Sequence, residues 1–274
     1  MSVTITAADI NKLRQTTGAG MLDCRKALTE SNGDFEAAID WLRKQGQKVA
    51  AKRSDREAKE GVVIAQTTAD NKSGIVLCVS AETDFVSLNA EFVTFVKAIA
   101  DAAISSNVNT IEELNAVAIG NQKVADMVND KLAAIGEKIA ITRFERVNAE
   151  YVASYIHGAN RMGVLAGFNK VAADAGKDIA MQIAAMNPLA IDETSIPAET
   201  IAREREIAIE QIKAEGKPAE IAEKIAVGKV NKFLKDNTLL HQPFVKDNGK
   251  SVADYLKSVD ADLKLLEFKR VALG

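Results

Sequence analysis

The side chains able to do covalent or metal chemistry are few and scattered. The two histidines, His157 and His241, lie in separate segments, and the two cysteines, Cys24 and Cys78, each sit inside a periodic apolar stretch. No Gly-x-x-x-x-Gly-Lys-Ser/Thr loop is available to cradle nucleotide phosphates. Gly18-Ala19-Gly20 lacks the third glycine of a dinucleotide fingerprint and follows no strand. Neither His-Glu-x-x-His nor paired Cys-x-x-Cys offers zinc ligands, and no Gly-x-Ser-x-Gly elbow offers a nucleophile. Carboxylate pairs such as Glu112-Glu113 stand in polar helical text, where they read as solvent-facing. The residues therefore point away from an enzyme, with no cofactor and no small-molecule substrate expected. What remains is the chemistry of contact. Thr83 or Asp84 could cap the helix that follows them, and Phe85 could staple that helix to a core.

The elements that position these residues must come from an ordinary globular chain. Its 274 residues suffice for one large domain or a few small ones. Only 5% of them are aromatic, so the cores must rest on Ala, Val, Ile and Leu. A net charge of −3 argues against sequence-independent nucleic-acid binding, which needs excess Lys and Arg to displace counterions. Met1 to Asp9 shows no basic start with an apolar run, and no apolar stretch approaches the length of a membrane span. A cytoplasmic protein with reduced, buried thiols and no membrane or direct nucleic-acid partner is expected.

Residues 1–46 read as three short helices. Thr6 and Asp9 have capping-box spacing, Gly18 and Gly20 break the first helix, and Asn32-Gly33-Asp34 stops the second and caps the third. Phe35, Ala38, Ile39 and Leu42 form a helical stripe, and Gly46 is the expected C-cap. Trp41 lies off that stripe, either packed on the linker or free for contact. Residues 47–60 read as a charged, partly helical linker, so the bundle is expected to be tethered and not rigidly docked.

From Gly61 the pattern turns to strands. Val62–Ala65 and Ile75–Val79 form a hairpin, Phe92, Val96, Ile99 and Ala103 mark a helix, and Lys138 to Val147 closes the unit as a strand. Residues 149–274 repeat that order: Tyr151–Ile156 and Gly163–Phe168 as a hairpin, Asp174–Met186 as a helix, Leu263–Val271 as the last strand. The repetition is one of pattern and not of residue identity. An insertion at about 198–236 reads as two antiparallel helices. Ile201, Ala208 and Ile212 mark the first seam and Ile221, Ile225, Val230 and Phe233 the second, joined at Gly216-Lys217-Pro218. Such an arm could meet another protein or serve as passive structure. The fold class expected is α+β: a small N-terminal three-helix bundle, a duplicated core with antiparallel sheets in 61–148 and 149–274, and an inserted coiled-coil hairpin.

Five stretches in order resemble the elongation factor Ts family. They are Leu13 to Leu28 with Asn32-Gly33-Asp34, then Glu82 to Val86, His157-Gly158 with Arg161 to Leu165, Gly216-Lys217-Pro218 with Ile221 to Lys224, and Gln242 to Val245. The resemblance implies a guanine-nucleotide exchange factor of translation elongation that binds elongation factor Tu·GDP, a GTPase. It would promote GDP release by disturbing the partner's magnesium and phosphate site and then yield to GTP. It implies that Thr83, Asp84, Phe85 and Val86 act on that magnesium site, that Met21 and Leu22 grip the same GTPase domain, and that His157 meets another domain. The chain ends at Gly274, soon after the last strand, so a contact that some members make through a further C-terminal module is expected to be missing.

Each role has a plainer rival. Thr83 and Asp84 could be caps, Phe85 a staple, Met21 or Leu22 bundle core, and His157 a surface residue at a strand end. For the whole chain, a general protein-binding scaffold and an enzyme housed in the duplicated core are the competing readings.

Overall fold

In the computed structural model, residues 4–53, 55–216 and 218–274 are described. The chain opens with α1 (Ala7–Thr17), α2 (Met21–Glu30) and α3 (Phe35–Lys52). The capping box forms as spaced: the Asp9 N–H donates to the Thr6 hydroxyl at 3.2 Å, and the Thr6 N–H donates back to the Asp9 carboxylate at 3.0 Å. Asn32 and Gly33 take left-handed backbone at φ 50° and 82°, and the Asp34 carboxylate then accepts from the Ala37 N–H at 2.9 Å. Leu13, Cys24, Ala27, Leu28 and Ala38 make the bundle core, with Phe35, Ile39, Trp41 and Leu42 half-buried around it.

The first half of the core follows. It comprises β1 (Glu60–Thr67), β2 (Ser73–Ala81), the single turn α4 (Asp84–Ser87), α5 (Ala90–Ser106), α6 (Ile111–Ala116), the two-residue strands β3 (Ala118–Ile119) and β4 (Gln122–Lys123), α7 (Val124–Ile135) and β5 (Ala140–Asn148). The second half comprises β6 (Tyr151–His157), β7 (Met162–Phe168), α8 (Ala173–Met186), α9 (Ala198–Ala214), α10 (Ala219–Asn237), β8 (Pro243–Phe244), β9 (Asp247–Ser251), α11 (Val252–Val259) and β10 (Leu265–Ala272).

Both halves fold alike. Each hairpin receives its closing strand on the outer side of its second strand, giving orders β1-β2-β5 and β6-β7-β10, all antiparallel. The registers coincide. Gly74 faces Val147 and Leu77 faces Phe144, just as Gly163 faces Val271 and Ala166 faces Phe268. Phe144-Glu145-Arg146-Val147 thus corresponds to Phe268-Lys269-Arg270-Val271. The duplication therefore survives in residue identity as well as in pattern, which the reading of the sequence missed because the matching strands lie over a hundred positions apart.

Strand alternation sorts the side chains into layers. Val62, Ile64, Leu77 and Val79 face α5 and α7, where Phe92, Val96, Ile99 and Ala103 are buried as their spacing predicts. The opposite faces of the two sheets meet through Val63, Ala65, Val76, Cys78, Val147, Val152, Leu165 and Val271. The corresponding glycines permit that approach: a Cβ on Gly74 would lie 2.9 Å from Val152, and one on Gly163 would lie 2.9 Å from Val76. Helix α8 covers the far face of the second sheet, and α11 packs beside it in the same core.

Three local expectations need correction. Gly46 is not a C-cap. Helix α3 runs through it to Lys52, and Gly46 is where α3 crosses α7, with room for only a hydrogen: a Cβ there would lie 2.6 Å from the Ala133 Cβ. Val49, beyond it, packs on the first core. The bundle is thus docked, and the residues following Gly46 are helix before they are linker. In the hairpin, α9 contributes Ala208 and Ile212 as expected, but α10 contributes Ala222 and Ala226 with Val230 below, while Ile221 is half exposed. Small alanines let the two axes approach closely, so the seam follows them and not the larger Ile221. The hairpin turn has Gly216 at φ 80°, and Lys217 lies outside the described residues. Finally, α11 and the β8–β9 hairpin carry a segment that the sequence left without elements.

Candidate functional site

The segment Thr83–Val86 forms a strand-to-helix connection at the end of β2. Thr83 sits at the N-cap position of α4 in extended backbone, yet its side chain makes no capping bond. It reaches instead across the fold to Glu137, just before β5. The hydroxyl donates to one carboxylate oxygen at 2.8 Å and the N–H donates to the other at 3.1 Å. The adjacent pair is crossed. The Glu82 carboxylate accepts from the Lys138 N–H at 2.6 Å, from the Arg53 guanidinium at 2.7 Å and from Arg56 at 3.5 Å. The Lys138 N–H, helped by the two arginines, holds the Glu82 carboxyl below the usual glutamate range.

This frame decides which way the turn faces. Val86 and Ser87 point inward, Val86 into the first core. Asp84 is exposed. Phe85 is 84% exposed, so it staples nothing to the core. Leu88 is 71% exposed beside it, a residue that sequence reasoning missed. Leu88 stands four before Phe92 and looks like part of the α5 stripe. However, Asn89 caps α5, its side chain accepting from Glu91 and Phe92 at 2.8 and 3.2 Å, and leaves Leu88 outside the helix. An aromatic ring and an aliphatic side chain stand in water on a turn pinned at its base. A lone exposed apolar residue needs no explanation; here two stand on one braced turn.

Met21 and Leu22 open α2 and both project outward, at 46% and 82% exposure, so neither is bundle core. His157 ends β6, exposed, its Nδ1 3.0 Å from the Tyr155 hydroxyl. From the same hairpin turn, Arg161 pairs with Glu60 at 2.8 Å. Glu60 faces Ala81 across the sheet, immediately before the Thr83 turn. Glu60 first, with Asp84 contributing, raises the Arg161 guanidinium still further above its ordinary value. The 82–86 and 157–161 segments are therefore linked through Glu60 at one edge of the core.

Among the described residues, no group of three or more His, Cys, Asp or Glu side chains is placed to hold a metal ion, and no helix is long and apolar enough to cross a membrane. Both cysteines are free and buried, and burial pushes the Cys24 thiol up, away from reactivity. A cleft of about 210 Å³ opens between the bundle and α7, lined by Trp41, Leu42, Val49, Asp130 and Ala133 among others. Trp41 is half-buried there with the Lys26 ammonium 5.7 Å from its ring.

The chain matches known proteins over nearly its whole length. The family model described as Elongation factor TS matches residues 82–274. The chain is 50% identical to the Elongation factor Ts of Flavobacterium psychrophilum over 99% of both chains. It is 48% identical to that of Christiangramia forsetii over 98% of this chain and 99% of the relative. It is 43% identical to that of Clostridium perfringens over 98% and 93%. On these matches over nearly its whole length, the chain belongs to the elongation factor Ts family of translation elongation factors.

Proposed function

We propose that this chain is a guanine-nucleotide exchange factor that binds elongation factor Tu·GDP, promotes GDP release and then yields to GTP. The observation that carries the reading is Phe85, an 84% exposed ring on a turn whose base is pinned by Glu137 and Val86. A GTPase holds GDP through its phosphates and a Mg²⁺ with oxygen ligands. A rigid ring inserted beside that site displaces packed groups and weakens the nucleotide, with no bond made or broken on the factor's side. On this reading Thr83 and Val86 hold the turn, while Asp84 and Phe85 make the contact. Met21 and Leu22 form a second grip on the same GTPase domain, and His157 meets another domain. Residues 1–46 then act as a gripping unit beside core halves 61–148 and 149–274.

Exchange by this route obeys linkage: if the factor weakens GDP binding by some ratio, GDP weakens factor binding by the same ratio. The test is to measure the affinity of the chain for elongation factor Tu without nucleotide and with saturating GDP. The reading requires much tighter binding to the empty form. Equal affinities would overturn it.

A further inference from the structure

We propose that Glu137 is a positioning residue for exchange, acting through Thr83 to keep the Phe85 turn in its projecting conformation; this rests on the exchange reading above. The argument starts from the expense of exposing Phe85. A free turn would fold the ring back onto apolar surface, because leaving a phenylalanine in water forgoes the free energy of its burial. Helix α4 is a single turn with no side-chain bond at its N-cap position; its internal bonds, from the Leu88 N–H to the Asp84 carbonyl at 2.9 Å and from the Ser87 hydroxyl to the same carbonyl at 3.1 Å, shape the turn but do not fix it against the core. Two anchors do. Val86 plugs the first core from the C-terminal side. At the N-terminal side, the Glu137 carboxylate takes both the N–H and the hydroxyl of Thr83, at 3.1 and 2.8 Å. Glu137 lies 54 residues away in sequence and is positioned in turn by its neighbour, whose N–H is held by Glu82 at 2.6 Å. Neighbouring residues on two segments thus exchange carboxylate-to-backbone bonds, which fixes the two segments against sliding. Hydrogen bonds to a charged acceptor are about twice as strong as neutral ones, so this anchor can oppose collapse of the ring.

The clamp also reaches the bundle. Arg53, immediately after α3, donates to the same Glu82 carboxylate at 2.7 Å. The grip and the projecting turn therefore share one set of charges.

The experiment measures catalysed release of fluorescent GDP from elongation factor Tu as a function of factor concentration, which separates the maximal rate from the half-saturating concentration. Thermal melting is measured alongside. Glu137→Ala should lower the maximal rate by about tenfold, from loss of a charged hydrogen-bonding partner, and move half-saturation by less than about threefold. Glu137→Gln keeps one acceptor oxygen and should recover part of the rate. Adding Thr83→Val to Glu137→Ala should cost little more, because the two act as a unit. A maximal rate equal to wild type in Glu137→Ala overturns the inference. So does a loss of melting temperature with no change in maximal rate in the folded Glu137→Gln protein. If wild type itself fails to accelerate release, the exchange reading fails and this inference with it, whereas an active wild type with equally active Glu137 variants overturns the inference alone.

Discussion

Thr83 donates both its hydroxyl and its N–H to the carboxylate of Glu137, at 2.8 and 3.1 Å. The bond pair replaces the capping role that a threonine before a helix usually takes. It closes the base of the turn from outside the local sequence and leaves Phe85 and Leu88 in water.

Phe85→Ala should leave stability nearly unchanged, within about 0.5 kcal/mol, as for most exposed positions. It should slow catalysed GDP release by about thirtyfold, the effect of truncating a central aromatic anchor worth roughly 2 kcal/mol. Phe92→Ala is the contrast. Phe92 is 2% exposed at the start of α5, and its loss should cost about 3–5 kcal/mol of stability. Denaturant melts and stopped-flow release on both variants check the pair.

Gly46→Ala should destabilise the docking of the bundle, because the new Cβ would lie 2.6 Å from the Ala133 Cβ and neither atom can rotate away. Overpacking of this kind costs about 1–3 kcal/mol, against which the better helix propensity of alanine returns about 1 kcal/mol. Ala133→Gly in the same chain should restore the melting temperature. If the double variant is no better than Gly46→Ala alone, the crossing is not the contact that matters.

Acid should loosen the clamp through Glu82. Its folded carboxyl is depressed, first by the Lys138 N–H and then by Arg53 and Arg56. Its contribution is therefore present above the unfolded glutamate value of about 4.3 and is lost as pH falls through the lower folded value. Glu82→Gln should be less stable than wild type at pH 7, and the gap should close below about pH 4. A gap that is constant with pH would remove the carboxylate from the account.

Gln182→Leu should destabilise the base of the hairpin. Gln182 is fully buried; its carbonyl accepts from the Val245 N–H at 2.8 Å and its amide donates to the Pro243 carbonyl at 3.1 Å and the Gln242 side chain at 3.2 Å. Leucine fills similar space but strands these groups, at about 1–3 kcal/mol. Urea melts read the loss.

Much of this fold is legible in the sequence because its elements are amphipathic. Phe92, Val96, Ile99 and Ala103 lie on one helical face and are all buried. The strands of both hairpins pair where their apolar runs predict. Legibility fails where one residue type serves two physical ends. Gly46 permits a helix crossing as readily as a helix end, and Ala222 makes a tighter seam than its larger neighbour Ile221. The site divides the same way. Phe85 stands out through the family resemblance, its place on a connection between strand and helix implies exposure, and it is 84% exposed. Glu137 could not be found from sequence, because a hydrogen bond across 54 residues leaves no local pattern.

The central claim is tested most directly by the release of a fluorescent GDP analogue from elongation factor Tu, followed after addition of excess unlabelled GDP with and without this chain. The account predicts release that accelerates with chain concentration and saturates, while calorimetry shows no GDP binding to the chain alone. Release at the uncatalysed rate at every concentration, or stoichiometric GDP binding by the isolated chain, would contradict it.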